Sequence, residues 1–141
     1  MPGRFELDPR LAADSILVAE GPLSQLRLVD DARFPWLLLV PRLPGAVEWL
    51  DLDGGSQRLL LAEINLCGRL LRALGPVHKI NIGALGNVVR QLHVHVLARS
   101  ESDAAWPGPA WGSGPALRYS AAQRQALVET LRRHMDDAGP A

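Results

Sequence analysis

The chain has 141 residues, 48% of them hydrophobic, and its fifteen basic and fifteen acidic side chains cancel. This length and composition predict a single domain over residues 1–141, with enough apolar residues for a hydrophobic core. The balanced charge argues against non-specific binding to nucleic acid or to an anionic membrane surface.

The cysteine content and the hydrophobic runs do not indicate export. Cys67 is the single cysteine and cannot form an internal disulfide, which fits a reducing compartment. The first six residues lack the apolar run of a signal peptide. No stretch approaches the roughly 18 consecutive apolar residues of a transmembrane helix. We therefore expect a cytoplasmic protein that makes no contact with a membrane.

The first forty residues are predicted to supply a short helical turn and three strands. Asp8 and Pro9 suit the N-cap and the first position of a turn over residues 8–14. Ser15–Glu20 and Ser24–Val29 flank a Gly-Pro turn and predict a hairpin. Residues 36–40 are apolar throughout, which is typical of a central strand covered on both faces.

Two helices are predicted in the rest of the chain. From Ser56 onwards, apolar residues recur at spacings of four and three and form one stripe (Leu60, Ile64, Cys67, Leu71 and Leu74). The sequence Gly75-Pro76 predicts the end of this helix. Ser120 starts a second helix, with Gln123 completing a capping box.

Two further strands are predicted between these helices, over residues 78–85 and 91–97, joined by a hairpin connection at 86–90. Residues 102–115 are rich in Trp, Pro and Gly and are predicted to form an ordered surface flap. Together the elements predict an α+β fold, an antiparallel sheet of about five strands with one long helix and a C-terminal helix.

The strand over residues 91–97 carries the most chemically informative pattern. Because strand side chains alternate, Gln91, His93 and His95 share one face, while the apolar residues between them share the other. Imidazole is readily used as a nucleophile or a proton carrier near neutral pH. The same pattern also fits the solvent-facing side of a half-buried strand.

The run Gln-Leu-His-Val-His-Val-Leu at 91–97, with Asn81 ten residues upstream and Trp106-Pro107 beyond it, resembles the signature of the histidine triad (HIT) family. In that signature three histidines alternate with apolar residues, and Gln91 replaces the first. The resemblance spans roughly residues 15–112. It implies the HIT fold, a homodimer often formed by merging two sheets, and activity on nucleotides without a metal or other cofactor in the covalent step.

The resemblance also implies roles for the three motif residues. His93 matches the nucleophile that attacks the α-phosphorus of a phosphoramidate or dinucleoside polyphosphate and forms a nucleotidyl-histidine. A nucleophilic imidazole needs one free nitrogen, with the proton of the other held by an acceptor. His95 matches a donor to the phosphate or the leaving group. The amide of Gln91 can orient or contact phosphate but cannot carry a proton near pH 7.

Four residues are the candidates for substrate binding. Asn81 matches a family residue that contacts phosphate or ribose, and Asp30, or its neighbour Asp31, matches a carboxylate that binds ribose hydroxyls. The loop with Gly86 and Asn87 can present N–H groups to phosphate, although a hairpin needs glycine simply to turn. Four tryptophans can stack on a base, or be buried in the core or a dimer interface (Trp36, Trp49, Trp106 and Trp111).

Two other functions compete with the enzyme hypothesis. A nucleotide-binding module with little turnover is possible because Gln91 and Val88 depart from the family motif, Val88 lacking a hydroxyl that many members have. A zinc site is a third interpretation, with His78 joining His93 and His95 as ligands. No carboxylate or thiol stands at a matching spacing, so this interpretation ranks last.

Overall fold

The computed structural model describes residues 3–138 and has the predicted α+β architecture. Its elements are helix α1 (Pro9–Asp14), strands β1 (Ser15–Glu20), β2 (Ser24–Val29) and β3 (Trp36–Pro41), a 3₁₀ turn (Trp49–Asp51), helix α2 (Gly54–Leu74), strands β4 (Lys79–Gly83) and β5 (Val94–Arg99), and helix α3 (Ala121–Ala138). The strands form one antiparallel sheet in the order β1-β2-β3-β5-β4. The predicted sheet with one long and one C-terminal helix is confirmed.

Strand β3 lies at the centre of the sheet and all six of its residues are buried. Leu37 and Leu39 belong to the main core, together with the apolar side of α2. Trp36 and Leu38 point to the opposite face and belong to two smaller clusters. The prediction that this strand is covered on both faces is therefore confirmed.

Helix α2 begins at Gly54, two residues before the predicted start. Asp53 is its N-cap, and the Asp53 carboxylate accepts a hydrogen bond from the Ser56 backbone N–H. The cap satisfies an otherwise free amide of the first turn, so the helix starts before its apolar stripe does. Cys67 lies fully buried in that stripe, and burial, assisted by the nearby Glu63, raises the pKa of its thiol, which keeps it protonated.

The two strands around the histidine motif are shorter than predicted. Strand β4 stops at Gly83 and β5 begins only at Val94, so residues 84–93 have no regular strand. Gly86 adopts φ +70°, which a non-glycine residue rarely does, and it turns the chain within this segment. Gln91 and His93 therefore precede the strand, whereas His95 lies within it.

The face of the sheet opposite α2 is covered by α1, by the segment before α1 and by the flap. Phe5, Leu7 and Leu11 pack on the β3 side chains Leu38 and Val40. Elsewhere on the same face, the flap over residues 102–115 contributes Ala110 and Trp111 to the cluster around Trp36. Within residues 3–138, no helix is both long enough and apolar enough to cross a lipid bilayer.

Candidate active site

A cavity of about 670 Å³ opens on this second face of the sheet. His93 and His95 line it, together with Gly86, Asn87 and Asp30. Five of the seven predicted site residues thus surround one cavity, although the loops that supply them lie far apart in the chain. Gln91 and Asn81 do not line it.

His93 is held in a single orientation by the backbone just before it. The side chain is 7% exposed, and its Nδ1 lies 2.7 Å from the carbonyl oxygen of Gln91. A carbonyl only accepts hydrogen bonds, so Nδ1 must carry the proton. The neutral ring then has its lone pair on Nε2, which is the arrangement that an imidazole nucleophile requires.

His95 has the opposite tautomer. The indole Nε1–H of Trp36 donates to His95 Nδ1 at 2.9 Å, and an indole nitrogen can only donate. In the neutral ring, the proton of His95 therefore sits on Nε2. Burial, and next the neighbouring His93, lowers the pKa of His95 to about 4, so the ring is neutral at pH 7.

The two imidazoles lie side by side, with ring centroids 5.1 Å apart and planes at 71°. His93 offers a lone pair and His95 a hydrogen-bond donor to the same region. This pairing suits a tetrahedral phosphate, which presents both an electrophilic phosphorus and acceptor oxygens.

Both carboxylates before β3 are already engaged within the protein. Asp30 accepts hydrogen bonds from the Tyr119 backbone N–H at 3.0 Å and from the Arg118 guanidinium at 3.1 Å. Asp31 accepts from Arg33, and although burial opposes ionisation, these hydrogen bonds hold the pKa of Asp31 below its usual value. A ribose that binds Asp30 would share this carboxylate with Arg118.

Asn81 supports the flap. It lies on the same face as His95, but its carboxamide oxygen accepts from Arg99 Nη1 at 3.0 Å, outside the cavity. The predicted substrate contact of Asn81 rested on the resemblance to the HIT family, and in this structure Asn81 does not line the cavity.

Comparison with known proteins identifies the family. The HIT domain model matches residues 10–102. The chain belongs to the HIT family. It is similar to solved histidine triad proteins from Bradyrhizobium japonicum (46% identity, 93% of this chain and 98% of that chain, TM-score 0.89), Sinorhizobium meliloti 1021 (43%, 93% and 97%, 0.90) and Marinobacter aquaeolei VT8 (37%, 97% and 100%, 0.91). A search of curated proteins gave no match.

Gln91, at the first position of the HIT motif, binds the N-terminal segment. Its Oε1 accepts from the Asp8 backbone N–H, and its Nε2 donates to the Glu6 carbonyl, both at 2.8 Å. Gln91 lies three residues before β5 begins, so strand alternation does not set the direction of its side chain. The Gln91 backbone, by contrast, supplies the carbonyl that orients His93.

We expect Gln91→Ala to lower the free energy of unfolding by about 1–3 kcal/mol, because it removes two hydrogen bonds to the backbone, the one to the Asp8 N–H partly buried and the one to the Glu6 carbonyl exposed. Hydrogen exchange at the Asp8 amide should accelerate. Gln91→His, which restores the HIT motif, should recover at most part of the loss, since an imidazole does not place a donor and an acceptor side by side.

Gln125→Ala is the matched control, because Gln125 is exposed on α3. Unchanged stability and unchanged Asp8 exchange in Gln91→Ala would contradict this assignment.

Sequence reasoning did not single out Trp36 and Trp111 among the four tryptophans. The Trp111 ring stands edge-on to His95, with centroids 5.5 Å apart, and Gly83 leaves the space for it, since a Cβ there would lie 3.0 Å from that ring. Trp36 lies two residues before Leu38, which pairs with His95, so the two aromatic side chains share a face. This spacing is the signal that could have identified Trp36.

The zinc interpretation lacks its third ligand. His78 directly precedes β4, at the end of that strand away from His95, and its Nδ1 accepts a hydrogen bond from the Glu101 backbone N–H. Among residues 3–138, no group of three or more His, Cys, Asp or Glu side chains is arranged to hold a metal ion.

Proposed function

We propose that this protein is a nucleotide hydrolase or nucleotidyl transferase in which His93 attacks the α-phosphorus of a nucleoside 5′-phosphate derivative. Membership of the HIT family indicates a nucleotide-binding hydrolase or transferase. The observation that carries the proposal is the hydrogen bond between His93 Nδ1 and the Gln91 carbonyl, which leaves Nε2 free to attack.

In the first step, the lone pair of His93 Nε2 forms a bond to phosphorus, and the bond from phosphorus to the leaving group breaks with its electron pair. The Nε2–H of His95 donates to a phosphate oxygen as negative charge develops there. In the second step, water or another acceptor attacks phosphorus, the electron pair returns to Nε2, and the proton of the attacking group is released.

The surroundings of the cavity suit a nucleotide. Arg10, Arg33 and Arg118 line it and oppose the charge of a phosphate chain. Gly86 and Asn87 lie on the loop beside His93, where backbone N–H groups can face phosphate oxygens. Asp30 is the proposed ribose contact. The narrower binding-module hypothesis would keep these contacts but lack turnover.

We also propose that the protein is a cytoplasmic homodimer. Strand β4 is an edge strand, and its Ile82 side chain is 57% exposed. An exposed apolar edge strand is a natural place for a second copy to pair. Size-exclusion chromatography with light scattering measures the oligomeric state directly.

The first test is intact-mass spectrometry of the full chain after brief reaction with diadenosine tetraphosphate, in the presence of a chelator. We expect a mass increase of one adenylyl group, which proteolysis maps to His93, and release of AMP. A rise in melting temperature on addition of nucleotide, with no adduct and no release of AMP, would instead support the binding-module hypothesis.

A further inference from the structure

The most informative unassigned contact in the cavity is the hydrogen bond from Trp36 to His95. Trp36 and His95 lie on neighbouring strands, and the register pairs Leu38 with His95, so Trp36 reaches His95 diagonally from the same face. The Trp36 Nε1–H then meets His95 Nδ1 at 2.9 Å. Protonation of Nδ1 would place two N–H groups against each other.

The environment of His95 strengthens this restriction. Trp36 stands at one side of the imidazole, with centroids 5.6 Å apart, and Trp111 at another, at 5.5 Å. Two indole rings displace water that would otherwise stabilise an imidazolium.

Other groups that line the cavity are poor proton donors at neutral pH. The carboxylates are Asp14, Asp30 and Asp31, and each is paired with an arginine, Arg118 for the first two and Arg33 for the third. In such ion pairs a carboxylate accepts hydrogen bonds and has none to donate. Among the described residues that line the cavity, His93 is also unsuited to be the proton donor, because its Nε2 forms the bond to phosphorus.

The geometry points to Trp36 as a residue that determines leaving-group specificity: by holding His95 as a neutral Nε2–H donor, it restricts the site to leaving groups that depart without receiving a proton. This inference rests on the proposed function. A phosphate, carboxylate or acidic phenol leaves phosphorus as a stable anion. An amine does not, because P–N cleavage without a proton produces a strongly basic amide ion.

The substrates favoured are therefore phosphoric anhydrides, or mixed anhydrides with a carboxylic acid, over phosphoramidates. For an anhydride, the P–O bond breaks with its electron pair, the leaving group departs as an anion, and His93 becomes nucleotidylated. No proton moves in this step, which matches a His95 that only donates a hydrogen bond.

A matched pair of substrates tests this inference: the 4-nitrophenyl ester and the 4-nitroanilide of AMP, which differ in one leaving atom. We expect wild type to favour the ester by more than about 10²-fold in kcat/KM, the scale of a missing proton donor. In Trp36→Phe, which removes the N–H and keeps a ring, the ester-to-anilide ratio should fall at least tenfold. Trp106→Phe, outside the cavity, should retain the wild-type ratio.

Nitrogen-15 NMR of the wild-type histidines provides a readout that does not depend on activity or on the folding of a variant. We expect His95 Nε2 to be protonated and Nδ1 to be of the unprotonated type, at neutral pH and without ligand. A protonated Nδ1, or similar turnover of both analogues by wild type, would overturn the inference. If neither analogue reacts, the proposed function fails, and the tautomer alone decides the assignment of Trp36.

Discussion

Replacement of His93 by alanine is expected to reduce kcat for AMP release by at least about 10³-fold, because it removes the atom that would bond to phosphorus. The adenylyl adduct should disappear as well. The expectation follows from the fixed tautomer, since Nδ1 is bound to the Gln91 carbonyl and Nε2 alone is free. Steady-state release of AMP and intact-mass spectrometry measure the two effects.

His134→Ala is the matched control, because His134 lies on α3 and does not line the cavity. His93→Gln adds a second comparison, since glutamine keeps a polar side chain but no nucleophilic imidazole. AMP release that persists at the wild-type rate in both His93 variants would remove this residue as the nucleophile, even if the protein still bound nucleotide.

The second large effect is expected on stability, at Asp103. This carboxylate organises the start of the flap. It accepts hydrogen bonds from Arg99 Nε at 2.8 Å and Arg99 Nη2 at 3.0 Å. Backbone N–H groups of Ser100, Ala105 and Trp106 supply three more. Both side chains of the pair are almost fully buried, with exposures of 2% and 7%.

We expect Asp103→Ala to lower the free energy of unfolding by about 3–5 kcal/mol, because it leaves the buried Arg99 guanidinium without its counter-ion. Denaturant unfolding at pH 7 is the measurement. Asp137→Ala, at an exposed position of α3, should change the stability by less than about 0.5 kcal/mol. If Asp103→Ala lowers the stability as little as Asp137→Ala does, water can replace Asp103 as the partner of Arg99 and the prediction is wrong.

The stability that the Asp103 carboxylate contributes is expected to depend on pH. The hydrogen bonds from Arg99, opposed by burial and assisted by the backbone donors, hold the pKa of Asp103 well below its ordinary value of 3.8. The unfolded chain therefore binds the proton more readily, and stability falls as the pH drops below that value. The difference between wild type and Asp103→Ala should be full at pH 7 and should shrink in acid.

Much of the fold follows from local patterns. The stripe of α2, the hairpin turn and the caps at Asp8 and Ser120 involve residues within a few positions of each other, so the sequence displays them directly. The boundaries of β4 and β5 were wrong because polar and apolar residues already alternate from Gln91, although pairing with the neighbouring strands begins only at Val94. Alternation shows which face a side chain takes, but not where hydrogen bonding between strands ends.

The candidate chemistry can be read from local spacing: two histidines stand two positions apart, in a motif specific enough to predict the HIT family. The hydrogen bonds that tune these groups come from distant parts of the chain. Gln91 finds its partners more than eighty residues away, and Trp36 reaches His95 across 59 positions. Such contacts depend on the register of neighbouring strands and on which loop covers the sheet. These are properties of the packed chain, and no local spacing of residues encodes them.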